Sequence, residues 1–219
     1  MISVVIPAAG GAGDAWLPRI FDRLRAIAGL EVLCVGTPPA QDGIRAVRLA
    51  AASRAVKLQA GIEAASHSLI LLHHPRSLID ATGLRWLSAN AGDVSWGGFT
   101  HAFDSSHPLL RLTSWYSNRI RAQRRGIVYL DHCIFFRREL LVRPIPPVEI
   151  FEDTELSMIL RESGPPRILP FLSTTSSVRF RKNGIWRQSL MNQRLKLEYR
   201  MGRSDRAMNR RYERGLDLN

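Results

Sequence analysis

Lysine is nearly absent from this sequence: Lys57, Lys182 and Lys196 stand against 28 arginines, so guanidinium groups carry almost all of its basic character. Cysteine is almost as rare. Cys34 and Cys133 both lie within apolar runs, which excludes a disulfide framework and predicts reduced thiols in the core. No apolar run approaches the roughly 20 residues of a membrane span, and Leu69 to Leu72 is among the best local stretches. The opening residues, Met1 to Ile6, read straight into a strand without a basic leader region or cleavage site, so a cytoplasmic protein is expected. The glycine-rich stretch Gly10-Gly11-Ala12-Gly13 has neither the GxGxxG spacing nor a Walker lysine, and so is a weak phosphate-loop signal. No recognition helix or stacking-aromatic motif accompanies the positive charge, and nucleic acid is not the expected partner.

What is present is an ordinary globular composition, 45% hydrophobic and 23% charged over 219 residues, enough for one domain with a sizeable core. The net charge is +12, and it is uneven. From Ser176 to Asn219 ten Arg and two Lys face four acidic residues, a local excess of eight. A basic segment of this kind usually meets phosphate: a phosphorylated ligand, an anionic lipid surface or nucleic acid.

Hydrophobic periodicity alternates between the two regular structures. Ile2 to Ile6, Glu31 to Val35 and Leu69 to Leu72 read as buried strands. Between them lie a helix bearing Trp16, Leu17, Ile20, Leu24 and Ile27, with Asp14 as its expected N-cap, and a second helix over Arg54 to Ala65. Strand, helix, strand at these spacings predicts a parallel sheet covered by helices. Further on, a helix is expected near Ala81 to Leu87, a strand over Trp96 to Phe103, a helix over Leu109 to Arg121, a strand over Tyr129 to Phe136 and a short helix over Asp153 to Arg161. Trp186, Leu190, Leu197 and Met201 then form an apolar stripe on a late helix whose other faces carry Arg187, Arg194, Lys196 and Arg200.

Taken in order, several of these segments resemble the family 2 glycosyltransferases. The carriers are the opening strand ISVVIP; Arg54 to Gly61, similar to R-x-x-Q-x-N-x-G; LLHH, similar to LFLHAD; and Gly97-Gly98-Phe99. Tyr129 to Arg138 is similar to Y-G-D-Q-G-x-F-x-R-R, Phe151 to Leu156 to M-E-D-V-E-L, and Arg181-Lys182-Asn183-Gly184 precedes the last amphipathic helix. The likeness is greatest to the small bacterial branch that includes arsenosugar-biosynthesis members, and it runs from Ile2 to about Met201. It implies an α/β fold of the nucleotide-diphospho-sugar transferase (GT-A) type over residues 1–201, followed by a basic C-terminal tail over 202–219.

The resemblance implies inverting sugar transfer from a nucleotide-diphospho-sugar to an acceptor. The general base falls on Asp153, with Glu152 beside it; by local sequence alone both read as caps of a helix N-terminus. Asp131 corresponds to a residue facing sugar or acceptor, with a structural hydrogen bond to a neighbouring loop as the other reading. His73 matches the family's histidine at the end of its strand. The donor half departs from the pattern. The P-x-x-N-E loop is Pro7-Ala8-Ala9-Gly10-Gly11, the base- and ribose-side aspartate is Gly36, and the metal-binding aspartate is Pro75. The family's Mg²⁺ or Mn²⁺ therefore lacks its carboxylate here. Two readings follow: a transferase in which Arg54, Lys57 and Arg76 hold the diphosphate in place of a metal, or a non-catalytic binding or scaffold protein. Peripheral contact of the basic segment with an anionic membrane surface is also expected. Of the histidines, His73-His74, His101, His107 and His132 read as polar groups of a cleft rather than as zinc ligands.

Overall fold

The computed structural model describes residues 1–8, 14–38, 41–49 and 52–214. The glycine-rich stretch through Gly13 lies outside them. Among the described residues one eight-stranded sheet runs in the order β3-β2-β1-β4-β7-β6-β8-β5. Its members are β1 (Ile2–Pro7), β2 (Leu30–Gly36), β3 (Arg45–Arg48), β4 (Leu69–Leu72), β5 (Ser77–Ile79), β6 (Trp96–Phe103), β7 (Ile134–Arg137) and β8 (Arg167–Thr175). The half from β3 to β4 is parallel, as the strand–helix alternation requires; β7 pairs antiparallel with β4 and β6, and β8 pairs parallel with β6.

Helices cover both faces. Ile2, Val4 and Ile6 of β1 point to one side, against Leu17, Ile20, Phe21 and Leu24 of α1 (Leu17–Arg25) and Leu84 and Leu87 of α3 (Ala81–Ala89). Val5 points to the other, against Leu58 and Ile62 of α2 (Arg54–Ala64) and Leu156 and Leu160 of α5 (Glu152–Leu160). The glycine of the R-x-x-Q-x-N-x-G-like segment has a packing cause: a Cβ on Gly61 would lie 2.2 Å from Val5 Cγ1. Gly97 is equally constrained, since its Cβ would fall 1.9 Å from the Arg167 carbonyl oxygen on β8.

Four expectations change. Asp14 does not cap α1; Trp16 occupies the N-cap without a side-chain bond. The segment read as a strand from Tyr129 is a tight 3₁₀ turn over Leu130–His132 followed by Cys133 at φ 52°, and β7 begins only at Ile134. The helix expected over Leu109 to Arg121 is α4 (Pro108–Tyr116), and the chain continues from it as a wider π-helix over Ser117–Arg124. The C-terminal segment is folded to residue 214 rather than a tail. After α6 (Val178–Asn183) and α7 (Ile185–Arg200), α8 (Asp205–Glu213) returns onto the body of the protein and buries Met208 with Leu195, Ile150 and Phe151. Both cysteines are buried free thiols.

Candidate active site

In an open α/β sheet, ligands bind outside the carboxyl ends of the strands where the order reverses. Here the reversal falls between β1 and β4. The chain leaving β4 is held close: His73 N–H donates to Val5 O at 2.8 Å, and Ser77 N–H to His74 O at 3.1 Å. This tight bend carries His73, His74, Pro75 and Arg76, all buried. Beside it opens a cavity of about 180 Å³ whose lining includes Arg54, His74, Arg76, His101, Arg121, Asp131, Asp153, Arg179 and Lys196. Four of the seven residues expected from the sequence thus meet in one cavity: Arg54, Arg76, Asp131 and Asp153. Glu152, Lys57 and His73 stand outside its lining.

Asp153 is set by the first turn of α5, which is strapped to the segment before β7. Its Oδ2 accepts from Leu130 N–H at 3.0 Å, and Ser157 Oγ both accepts from Val128 N–H and donates to Val128 O at 2.9 Å. Burial, with the adjacent Glu152 carboxylate, pushes the Asp153 carboxyl up to about 7. Glu152 faces the interior, fully buried, and is ion-paired with Arg54 Nε. Burial works against the Arg54 charge, but the Glu152 carboxylate keeps it protonated. The expected pairing of roles therefore divides: Asp153 lines the cavity, and Glu152 anchors a cavity arginine from behind.

Asp131 sits at the tip of the 3₁₀ turn. Its backbone carbonyl accepts from Ser173 Oγ at 2.7 Å and Thr175 Oγ1 at 3.4 Å, so the main chain supplies the structural anchor. Its carboxylate, 24% exposed, lies 3.5 Å from His101 Nε2, 3.9 Å from His132 Nε2 and 4.0 Å from an Arg121 nitrogen. Burial opposes the charge on Asp131, yet these neighbours hold its carboxyl below the ordinary range. Burial also drives His101 down and His132 to about 3, leaving Arg121 as the cation that persists at neutral pH. The described non-glycine residues with positive φ, Cys133 and Phe151, each lie within two residues of one of the cavity's carboxylates.

Cations were less legible in the sequence than carboxylates. Arg121 stacks on Tyr129, 3.4 Å from the ring centre, and Lys196 of α7, lowered to about 8 by burial and Arg121, approaches from the C-terminal helices. Arg179 of α6 donates to Tyr212 O at 2.8 Å and Glu213 Oε1 at 2.9 Å, which ties α8 over the cavity. Burial, with Arg179 nearby, brings Arg76 down to about 10. The usable signal was the density of arginine after Ser176, which marks a cationic wall but not which side chains turn inward.

Lys57 and His73 have other duties. Lys57 Nζ donates to Ala8 O at 2.7 Å, beyond the end of β1. Gly36, at φ +123°, is pressed against the same carbonyl: a Cβ there would lie 2.8 Å from Ala8 O. No aspartate fits that backbone, so the ribose-side acid is excluded by geometry as well as by sequence. His73 Nδ1 hydrogen-bonds His74 O at 2.9 Å, and burial lowers its imidazole to about 4, so it is neutral near pH 7. Among the described residues, the position that the resemblance gives to the metal's carboxylate does not suit a hard divalent cation. Pro75 offers no ligand, Arg76 follows it, and no group of three metal-ligating side chains exists among the described residues.

No protein-family model matches the chain, and no curated protein matches it by sequence. Solved structures do match. Residues 1–349 of S. aureus TarS, also solved in complex with UDP-GlcNAc, superpose with a TM-score of 0.62 at 12% identity, covering 81% of this chain and 61% of that one. The mannosyltransferase PcManGT from Pyrobaculum calidifontis, in complex with GDP-Man and Mn²⁺, gives 0.59 at 15% identity over 99% of this chain and 71% of that one. The fold is GT-A. Glucosyl-3-phosphoglycerate synthase from Mycobacterium tuberculosis, in complex with Mg²⁺ and UDP, matches at 0.53 with 16% identity over 80% of this chain and 69% of that one. The chain spans about three fifths of the TarS fragment and 36% of the longer TarS structure. Among the described residues no helix is long and apolar enough to cross a membrane.

Proposed function

We propose that this protein is a divergent family 2 glycosyltransferase, of the small branch with arsenosugar-type members. In this reading it transfers a sugar with inversion from a nucleotide-diphospho-sugar, and Asp153 removes the acceptor proton as the hydroxyl oxygen attacks the anomeric carbon. The carrying observation is one cavity at the switch point in which a carboxyl raised to about 7 faces a wall of Arg76, Arg121, Arg179 and Lys196. A base poised near the working pH suits proton abstraction. Guanidinium forks suit a diphosphate leaving group, whose developing charge they stabilise without a metal. Arg54, tied to Glu152, contributes from the cavity wall. Asp131 is assigned to the sugar or acceptor.

The test is a thermal-shift and transfer screen of nucleotide sugars with EDTA or Mn²⁺. The reading expects stabilisation by one donor in EDTA, nucleoside diphosphate release that EDTA leaves intact, and an Asp153→Asn variant that binds without turning over. Activity strictly dependent on added Mn²⁺ overturns metal independence. A second reading, a non-catalytic scaffold that has lost the donor, is favoured by the end of β2, where Lys57 and Gly36 close on Ala8 O. Silence across a broad donor set supports it.

A further inference from the structure

The stripe on α7 faces outward. Trp186, Leu190, Leu197 and Met201 are 73%, 74%, 56% and 55% exposed, and at about 100° per residue they fall within an arc of about 60°. The opposite face is held in by amides. Gln188 is fully buried, accepts from Asn183 Nδ2 at 2.6 Å and donates to Asn192 Oδ1 at 2.7 Å. Leu195 packs beside it against Met208. Tyr199 on the same face donates to Glu155 Oε1 of α5 at 2.6 Å, and with Leu195 it fixes the rotation of the helix against the body, so the exposed row is its built orientation. An ordinary surface helix has the reverse arrangement, apolar side in and amides out.

The row has company. On α4, Leu112 is 58% exposed, Trp115 53% and Tyr116 37%. Tyr116 and Leu197 line one second cavity, which shares Arg121, Tyr129, Phe151 and Lys196 with the candidate active site. The two apolar rows thus flank an approach to that site. Around them the charge is mainly positive, with Glu198 as the acid beside the row, paired to Arg194 and Arg211. Exposed Arg187 and Arg194 border the stripe on one side and Arg200 on the other, and the segment from Pro108 to Ile127 holds five arginines and no acid.

We propose that this face of α7 and α4 docks the protein on an anionic lipid surface, with the two aromatic and aliphatic rows seated at the level of the headgroups and the arginines paired with lipid phosphates. Apolar side chains flanked by arginine, with tryptophan among them, match the chemistry of that interface. A second copy of the chain matches it badly, because a self-paired face sets arginines against arginines. Docking in this pose turns the cavity approach toward the membrane, where an acceptor anchored in the lipid would meet it. The docking itself does not depend on the transferase reading.

The experiment is co-sedimentation of the full chain with vesicles of phosphatidylcholine alone and of phosphatidylcholine with phosphatidylglycerol, at low and high salt, alongside analytical ultracentrifugation without lipid. The wild type is expected to partition onto the anionic vesicles at least about tenfold better than onto neutral ones, with the preference falling as salt rises. A Trp186→Ser, Leu190→Ser, Leu197→Ser variant, whose changes fall at exposed positions, should keep its melting temperature and lose about tenfold or more in binding. An Arg187→Glu, Arg200→Glu variant should lose the anionic preference. Wild-type protein left in the supernatant on every vesicle overturns the proposal. So does a serine variant that binds like wild type, and so does a lipid-free dimer that the serine changes dissolve. Donor and acceptor are absent throughout, so a catalytically silent protein that still binds leaves docking intact while refuting the transferase, and the converse result separates them the other way.

Discussion

Replacing Asp153 with asparagine should make the protein more stable and inactive at the same time. Its carboxyl is raised from the ordinary 3.8 to about 7 by burial and by Glu152. A folded-state value above the unfolded one means that the folded protein binds the proton more tightly. Stability is therefore lost as pH climbs from about 4 through 7, the reverse of the usual carboxylate. At about 1.4 kcal/mol per pH decade, the penalty relative to an uncharged side chain is under about 2 kcal/mol at pH 5 and about 4 kcal/mol at pH 8. Asparagine retains an oxygen to accept from Leu130 N–H, so the strap between α5 and the turn before β7 survives. The assay is urea unfolding of both proteins at pH 5 and pH 8. The advantage of Asp153→Asn should widen by about 2.5 kcal/mol between them, equivalent at pH 8 to a rise in Tm of very roughly 10 °C. The buried histidines titrate in both proteins and cancel in the difference. A variant less stable than wild type at pH 8, or an advantage that does not move with pH, refutes the reasoning. If the transferase reading holds, the same substitution lowers kcat by about 10²–10⁴-fold.

Arg54→Met strands the fully buried Glu152 carboxylate and should cost about 3–5 kcal/mol in urea unfolding, most of it recovered in Arg54→Met, Glu152→Leu; a cost below about 1 kcal/mol would mean the pair is not holding the fold. Gly61→Ala drives a methyl to within 2.2 Å of Val5 Cγ1 and should destabilise by about 1–3 kcal/mol despite the better helix propensity, with Val5→Ala relieving part of the loss. His73 and His132, lowered by burial to about 4 and about 3, contribute stability that is present above pH 6.5 and lost as the pH falls toward 4; a flat unfolding midpoint over that range would show them to be accessible in the folded protein. Arg137→Lys replaces a fork that donates to Val94, Ala91 and Gly92 carbonyls with a single ammonium and should cost about 1–3 kcal/mol, read as a lower unfolding midpoint.

The parallel half of the sheet was legible because its strands are short runs of fully buried apolar residues divided by helices of the right length. Asp153 was legible as a carboxylate at a helix start. The segment read as one strand from Tyr129 was not, because hydrophobicity alone does not register that Leu130 N–H is bound by Asp153 or that Cys133 takes a left-handed backbone. The stripe on α7 was legible as a stripe. Which way it faced was not, since periodicity gives the phase of an apolar row relative to its own helix and says nothing of the neighbour. Leu195 and Tyr199 decide that question with buried Gln188 on their face, and an isolated glutamine carries no mark of burial in the sequence. Glu152 and Asp153, adjacent and chemically alike, illustrate the same limit: about 100° of helical rotation sends one to the cavity and the other into the core.

The ratio of 28 arginines to three lysines acquires a physical cause from where the guanidinium groups end. Many are consumed inside the fold as caps on main-chain carbonyls, a task for several donors held in one plane. Arg45 and Arg138 satisfy Ala64, Ala65 and His67 carbonyls where α2 ends, Arg23 reaches Ile79 O, Arg137 closes the turn after α3, and Arg179 fastens α8. Arg179 also lines the cavity; the other four are stability charges, and they have no bearing on a ligand. Only after those four are set aside does the net +12 divide usefully, into a cavity wall supplied by Arg76, Arg121, Arg179 and Lys196 and an outer rim of Arg187 and Arg200, with Arg194 paired to Glu198, around an apolar row. The wall is buried or half-buried and acts at contact range, whereas the rim is solvated and screened within about 8 Å at physiological salt. Salt dependence therefore separates them: a ligand held by the wall should be nearly indifferent to ionic strength, and anything recruited by the rim should not.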